Sequence, residues 1–210
     1  MLIRIDHRTR VCCQPAGRRI VNLARGHGPV NESRLHHLRT DRLELTAATY
    51  HHINAEIESP ELLACLLEAQ VEPGWPPGEY DLGAQEYFRD RLQEGGEAAV
   101  GWYTWYAVRH EERGRPPLLI GAGGFLGPPG EQQKVEIGFS IVPSQRRRGY
   151  ATEMTKALVA YAFADEHTRK IIAHTTPQNV ASHQVLVRCG FRYVCAETAS
   201  GNDLFEIVRS

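Results

Sequence analysis

Val135-Glu136-Ile137-Gly138-Phe139-Ser140-Ile141-Val142-Pro143-Ser144-Gln145-Arg146-Arg147-Arg148-Gly149-Tyr150-Ala151-Thr152-Glu153-Met154 is the stretch from which the fold is read. β-Branched and other apolar residues dominate up to Pro143, which lacks the N–H that a sheet ladder needs, so the stretch opens as a strand. Three arginines and a glycine follow. A helical pattern then begins, with Met154, Leu158, Tyr161 and Ala162 on one face. A strand, a basic turn and a helix N-terminus form an anion site from backbone alone. The first helical N–H groups lack intrahelical partners, and the macrodipole adds positive charge there. Gly149 lets a phosphate approach the chain closely, and Ala151 is too small to block it.

The loop carries neither G-x-x-x-x-G-K-[ST] nor G-x-G-x-x-G. Downstream, residues 170–176 read as a strand and lead to Asn179-Val180-Ala181-Ser182-His183-Gln184-Val185-Leu186-Val187-Arg188-Cys189-Gly190-Phe191. Asn179 is placed to cap a helix, Val185 and Leu186 lie on its apolar face, and Gly190 suits the position after its end. Two terminal strands, 193–197 and 204–208, flank a hairpin turn at Ser200-Gly201-Asn202-Asp203. Upstream, 40–46 alternates as a strand, and 47–57 and 59–69 read as helices, the second with Ser59 as cap and Pro60 at its first position. A rigid turn, Gly74-Trp75-Pro76-Pro77-Gly78, precedes a helix over 83–93, and strands are expected at 102–108 and 118–125. Trp75 reads as packing or as a wall of an acceptor groove.

Arg146-x-x-Gly149-x-Ala151 followed by Asn179-x-x-Ser182-x-x-x-Leu186-x-Arg188-x-Gly190-Phe191 resembles the two cofactor segments of the GNAT superfamily of N-acetyltransferases. From about Thr40 to the C-terminus the chain resembles the branch typified by ribosomal-protein N-terminal-alanine acetyltransferases. Thr40-Asp41-Arg42-Leu43-Glu44-Leu45 matches that branch's opening, and Gly124-Phe125 with Gly138-Phe139 matches its rhythm. The resemblance implies an α/β (α+β) GNAT fold. Its mixed, mostly antiparallel central sheet would have about six to seven strands flanked by helices, splayed at the two central strands, with a bulge suited to Gly138. It implies acetyl-CoA as acetyl donor and no metal. Phe139, Ser140, Ile141 and Val142 would line the cofactor arm, and Arg146, Arg147, Arg148, Gly149, Tyr150, Ala151 and Thr152 the phosphates, Arg147 facing solvent. Asn179 and Ser182 would complete the cofactor site.

Acetyl transfer from a thioester needs a neutral amine, a polarised carbonyl and a proton for the departing thiolate. A lysine-like amine has a reference pKa near ~10.4, so a base must take its proton at neutral pH. Glu136 is the carboxylate expected near the thioester, although a strand carboxylate bonded to a neighbour is the other reading. A backbone N–H near Phe139 or Ser140 would polarise the carbonyl. Where many family members carry a tyrosine acid, this chain has Leu186, so Ser182 or water is expected to protonate the thiolate. Cys189 reads as a small buried apolar residue. The departure at Leu186 also keeps open a catalytically weak, CoA-binding regulatory domain.

The chain has 210 residues, 42% of them hydrophobic, enough for one large domain or a domain with an extension. Its net charge of −1 offers no electrostatic argument for nucleic acid or an anionic membrane. The five cysteines are odd in number and form no C-x-x-C, so disulfide and zinc frameworks are not expected and a cytoplasmic setting is. The pairs His36-His37 and His51-His52 do not share a face and are not read as metal ligands. No run reaches the about 18–20 apolar residues of a membrane helix. Residues 1–37 hold seven arginines against Asp6 and Glu32, broken by glycine and proline; they are expected to be a basic, poorly ordered extension of a 38–210 acetyltransferase domain. The expected partner is an amine acceptor, a protein N-terminus or a small molecule, with the enzyme a monomer or homodimer.

Overall fold

The computed structural model describes residues 37–209 apart from 79, 113 and 198–200. The element order is β1 (His37–Arg39), β2 (Leu43–Ala47), α1 (Tyr50–Glu58), α2 (Pro60–Leu66), β3 (Gln70–Val71), α3 (Leu82–Gly95), β4 (Thr104–Arg109), β5 (Leu118–Phe125) and β6 (Lys134–Ile141). It continues with α4 (Tyr150–Ala164), β7 (Lys170–Thr175), α5 (Val180–Arg188), β8 (Arg192–Ala196) and β9 (Asp203–Val208). The strands make one sheet in the order β1-β2-β4-β5-β6-β7-β9-β8, with β3 beside β5. Pairing is antiparallel except for β3 with β5 and β6 with β7. The described residues thus hold nine strands rather than six or seven: β1 and the two-residue β3 carry too little pattern to stand out. The expected basic extension lies outside the described residues except for His37, which belongs to β1 opposite Thr46.

Alternation on β4 sends neighbouring aromatics to opposite faces. Trp105 packs edge-on to Tyr161 of α4, while Tyr106 donates to Glu56 of α1. The helical pattern expected after the arginines holds, with Met154, Leu158 and Ala162 fully buried and Tyr161 partly so. Gly124 permits a close approach of backbones: a Cβ there would sit 1.7 Å from the Tyr103 carbonyl oxygen.

Two features shape the middle of the sheet. β5 and β6 keep one register from Gly121↔Ile141 to Phe125↔Ile137, so β6 has no bulge at Gly138, contrary to expectation. The register shift falls between β4 and β5, where Ile120 is the extra residue. β7, in turn, stays beside β6 only from Lys134↔Lys170 to Glu136↔Ile172. Beyond Glu136 the two strands part, so divergence of β7 opens the sheet, not distortion of β6.

Candidate active site

The basic glycine loop begins where β6 ends. A short 3-10 turn over Pro143–Gln145 is followed by Arg147 at φ +60° and Gly149 at φ +84°, which caps α4. Glycine takes that left-handed conformation without the strain a side chain adds. The caps of α1, α2, α3 and α5 are Thr49, Ser59, Asp81 and Asn179, and each accepts from a first-turn amide through its side chain. Gly149 has no side chain to do so. Among the described residues, α4 is therefore the one α-helix whose leading N–H groups, those of Tyr150, Ala151 and Thr152, are left to an outside acceptor.

A second layer holds this loop in place, and sequence reading missed its role. Glu153, in the first turn of α4, accepts from Thr40 Oγ1 at 2.6 Å, Arg42 N at 2.9 Å and Arg42 Nε at 2.7 Å. Arg42 Nη1 donates to the Arg148 carbonyl at 2.9 Å, and the guanidinium lies 4.6 Å from the Tyr150 ring centroid. Partial burial works to raise the Glu153 pKa, but its bonds from Thr40 and Arg42 prevail and lower it. The opening Thr40-x-Arg42-Leu43 pattern is thus a clamp on the α4 N-terminus. No local spacing signals a contact between residues 111 positions apart.

The arginines divide. Arg146 Nε donates to the Ile141 carbonyl at 2.9 Å, tying the loop to the end of β6. Arg147 and Arg148 are exposed. Ile141, Val142 and Tyr150 are buried, while Phe139, Ser140, Ala151 and Thr152 are half-buried.

The splay forms a cleft of about 160 Å³ whose lining includes Gly138, Phe139, His174, Asn179, Ser182 and Leu186. Nothing lies within 4 Å of where a Gly138 Cβ would be, so the cleft is open there. Strand parity decides which amides face it. Leu126 N donates to Glu136 O, and Val142 N donates to Ile120 O, so even-numbered residues from Glu136 to Val142 bond toward β5. Phe139 therefore presents its N–H and C=O to the cleft, the Ile141 carbonyl on the same edge is taken by Arg146, and the amide of Ser140 faces β5. Across the cleft, Asn179 Oδ1 accepts from Ser182 N at 3.1 Å, the cap expected of it. Leu186, 1% exposed, forms apolar floor where a tyrosine acid was weighed.

Glu136 sits where the strands part, its Oε1 2.8 Å from His174 Nδ1. His174 Nε2 is in turn 3.3 Å from Glu197 Oε1. Partial burial works to lower the His174 pKa, but the two carboxylates outweigh it and raise it above the ordinary 6.5. Burial pushes the Cys189 thiol, which lies against the Thr152 carbonyl of α4, up to about 11, which fits the apolar role read for it. Among the described residues no cluster of three or more His, Cys, Asp or Glu side chains could hold a metal, and no helix is long and apolar enough to cross a membrane.

A second carboxylate, Glu56, is 3% exposed on the face that carries α1. It accepts from Trp75 Nε1 at 2.7 Å, Tyr80 Oη at 2.7 Å and Tyr106 Oη at 2.6 Å. Trp75 and Tyr80 are thereby pinned to α1. Upstream, Glu72 accepts from Ser144 Oγ and, at 2.8 Å, from Gln145 Nε2, both in the basic glycine loop. Trp75 is buried packing with one polar anchor.

Comparison with known proteins places this geometry. The model of the acetyltransferase (GNAT) domain matches residues 42–192. An uncharacterized N-acetyltransferase, YoaA of Bacillus subtilis (strain 168), is 33% identical over 74% of this chain and 82% of its own. A second from the same organism, YjdG, is 29% identical over 73% of this chain and 88% of its own. The solved structure of RimL, a ribosomal L7/L12 alpha-N-protein acetyltransferase in complex with coenzyme A, superposes with a TM-score of 0.51 at 18% identity. It covers 80% of this chain and 95% of the RimL chain, a likeness of fold.

Proposed function

The chain belongs to the GNAT acetyltransferases, and from that premise we propose that it transfers the acetyl group of acetyl-CoA directly to a primary amine. The observation that carries the reading is the uncapped N-terminus of α4 beside the splayed strands. Free amides under a left-handed glycine suit a pyrophosphate, and the unpaired edge of β6 suits an amide-bearing arm. Bound acetyl-CoA supplies the activated acetyl group. In this reading the N–H groups of Tyr150, Ala151 and Thr152 hold its phosphates, and Arg146, Arg147 and Arg148 add positive charge around them. Ile141 and Val142 carry the chain from the cleft edge into this loop.

Phe139 N–H faces the cleft and is the donor for the thioester carbonyl; Ser140 supports it from the same strand. Glu136 accepts the acceptor's proton. Asn179 fixes the helix end that brings Ser182 to the cleft, where its hydroxyl serves the departing thiolate. The acceptor is a protein N-terminus or a small-molecule amine, as in the ribosomal-protein branch of the family. Residues 1–36 act as an extension outside the catalytic unit, and the setting is cytoplasmic.

Gly149→Asp tests the cofactor site. A Cβ at Gly149 lies 3.3 Å from Arg42 Nη2 and takes on the strain of φ +84°, so native circular dichroism is the control, while bulk and charge occupy the phosphate position. Calorimetric titration should show acetyl-CoA binding to the wild type and none to a variant with native circular dichroism; retained affinity refutes the assignment. Thiol release from acetyl-CoA across a panel of peptide N-termini, polyamines and aminoglycosides then identifies the acceptor.

A further inference from the structure

His174 has no task in the reaction as described so far. It lies two residues beyond Ile172, the partner of Glu136 in the last register pair between β6 and β7. Alternation along β7 puts it on the face of Ile172, and so on the face of Glu136. Its ring spans two carboxylates from two different elements, Glu136 on β6 at 2.8 Å and Glu197, just after β8, at 3.3 Å. These are the charged groups that face it. An ionised carboxylate only accepts hydrogen bonds, so a ring that bonds to both in that form does so with hydrogen on each nitrogen, as an imidazolium. His174 stands in the wall of the cleft, and Glu136 holds it where the strands begin to part.

We propose that His174 is the positioning residue for acceptor deprotonation, its imidazolium gripping one oxygen of Glu136 and leaving the other for an incoming ammonium group. The proposal rests on the reading of Glu136 as the base. Two carboxylates and one imidazolium leave a single net negative charge at the cleft wall, which selects a cationic amine over a neutral nucleophile. The ring also offsets the repulsion that would otherwise separate Glu136 from Glu197. In the step itself one proton passes from the acceptor nitrogen to Glu136 Oε2. A neutral amine and a neutral carboxyl result, and the Nδ1–H stays on the ring. A strut between diverging strands would share the geometry but affect stability alone.

The first test uses the ligand-free protein. NMR titration of nitrogen-15-labelled imidazoles should give His174 a pKa above 6.5, falling toward that value in Glu136→Gln and in Glu197→Gln. Next, His174→Gln keeps a donor and loses the charge. Its kcat should fall about 10–100-fold, the scale of a misplaced catalytic group, while KM for acetyl-CoA is unchanged. The limb of the pH–rate profile that tracks the NMR titration should vanish with it. A wild-type His174 pKa at or below 6.5 overturns the proposal. So does a His174→Gln enzyme with wild-type kcat and pH profile while Glu136→Gln is inactive; the residue is then a strut. If Glu136→Gln turns over normally, the base reading falls first and the proposal with it, which separates the two failures.

Discussion

Glu56 and Glu136 place the same functional group in two settings. Glu56 accepts from three neutral donors, two phenols and an indole, and is 3% exposed. Glu136 meets one imidazole, that of His174 in the cleft wall, with its side chain 31% exposed. Burial raises the Glu56 pKa, chiefly against the hydrogen bonds of Tyr106, Tyr80 and Trp75. A carboxylate surrounded by neutral donors and shut from water has no proton to trade with a substrate; it ties α1, β4 and the 72–80 segment together. A part-exposed carboxylate held by an imidazole stays within reach of a substrate. Function follows from access and the charge of the partner, not from the residue type.

The contrast can be broken most sharply at Glu136. Glu136→Gln should lower turnover by about 10²–10⁴-fold, the usual share of a positioned base, with acetyl-CoA affinity nearly unchanged. The deficit should shrink as pH rises, since more of the acceptor amine is then neutral. Near-normal turnover at neutral pH would make Glu136 structural and erase the distinction.

Glu56 should respond in stability instead. Glu56→Ala orphans three buried donors and should cost on the order of 3 kcal/mol by denaturant unfolding, each orphan accounting for about 1–3 kcal/mol before relaxation. Glu56→Gln should cost under about 1 kcal/mol. Its amide oxygen can accept from Trp75 and its NH2 can donate to the phenol oxygens, which accept as readily as they donate. If the Gln variant is as unstable as the Ala variant, ionisation of Glu56 matters to the fold.

Both settings predict stability that declines with pH, in different windows. His174 has a folded pKa above its ordinary 6.5, so its contribution is complete below that value and is lost as pH rises through the folded pKa. Glu56 has a folded pKa above its ordinary 4.5, so its contribution begins to fade at a lower pH. His174→Gln should flatten the upper window and Glu56→Gln the lower, read from unfolding midpoints across pH. The smallest effect is expected from deleting residues 1–36: cooperative unfolding and acetyl-CoA binding should persist, because β1 with His37 is retained. Loss of cooperativity would place the extension within the domain's core.

Much of the scaffold was legible because its signals are local. Ser59 and Asn179 cap helices through bonds spanning two or three residues, and Gly190 takes a left-handed φ of +91° where a helix end called for it. The strand–turn–helix reading of 135–154 holds for the same reason. Two short strands escaped, since two or three residues carry no period. The bulge expected at Gly138 came from the resemblance, and the register lies elsewhere.

The sequence by itself determined the order of the longer elements, the basic glycine turn, the helix start that follows it and the carboxylate on the strand before it. Each depends on neighbours a few positions away, where backbone geometry fixes what can touch. Only the tertiary structure decided that Glu136 meets His174, 38 residues on, that Glu153 meets Arg42 across 111, and that Glu56 gathers donors 19, 24 and 50 residues away. Those partners depend on which strands lie side by side and where β7 leaves β6. Sheet order and divergence are set by packing of the whole domain, and no spacing along the chain encodes them.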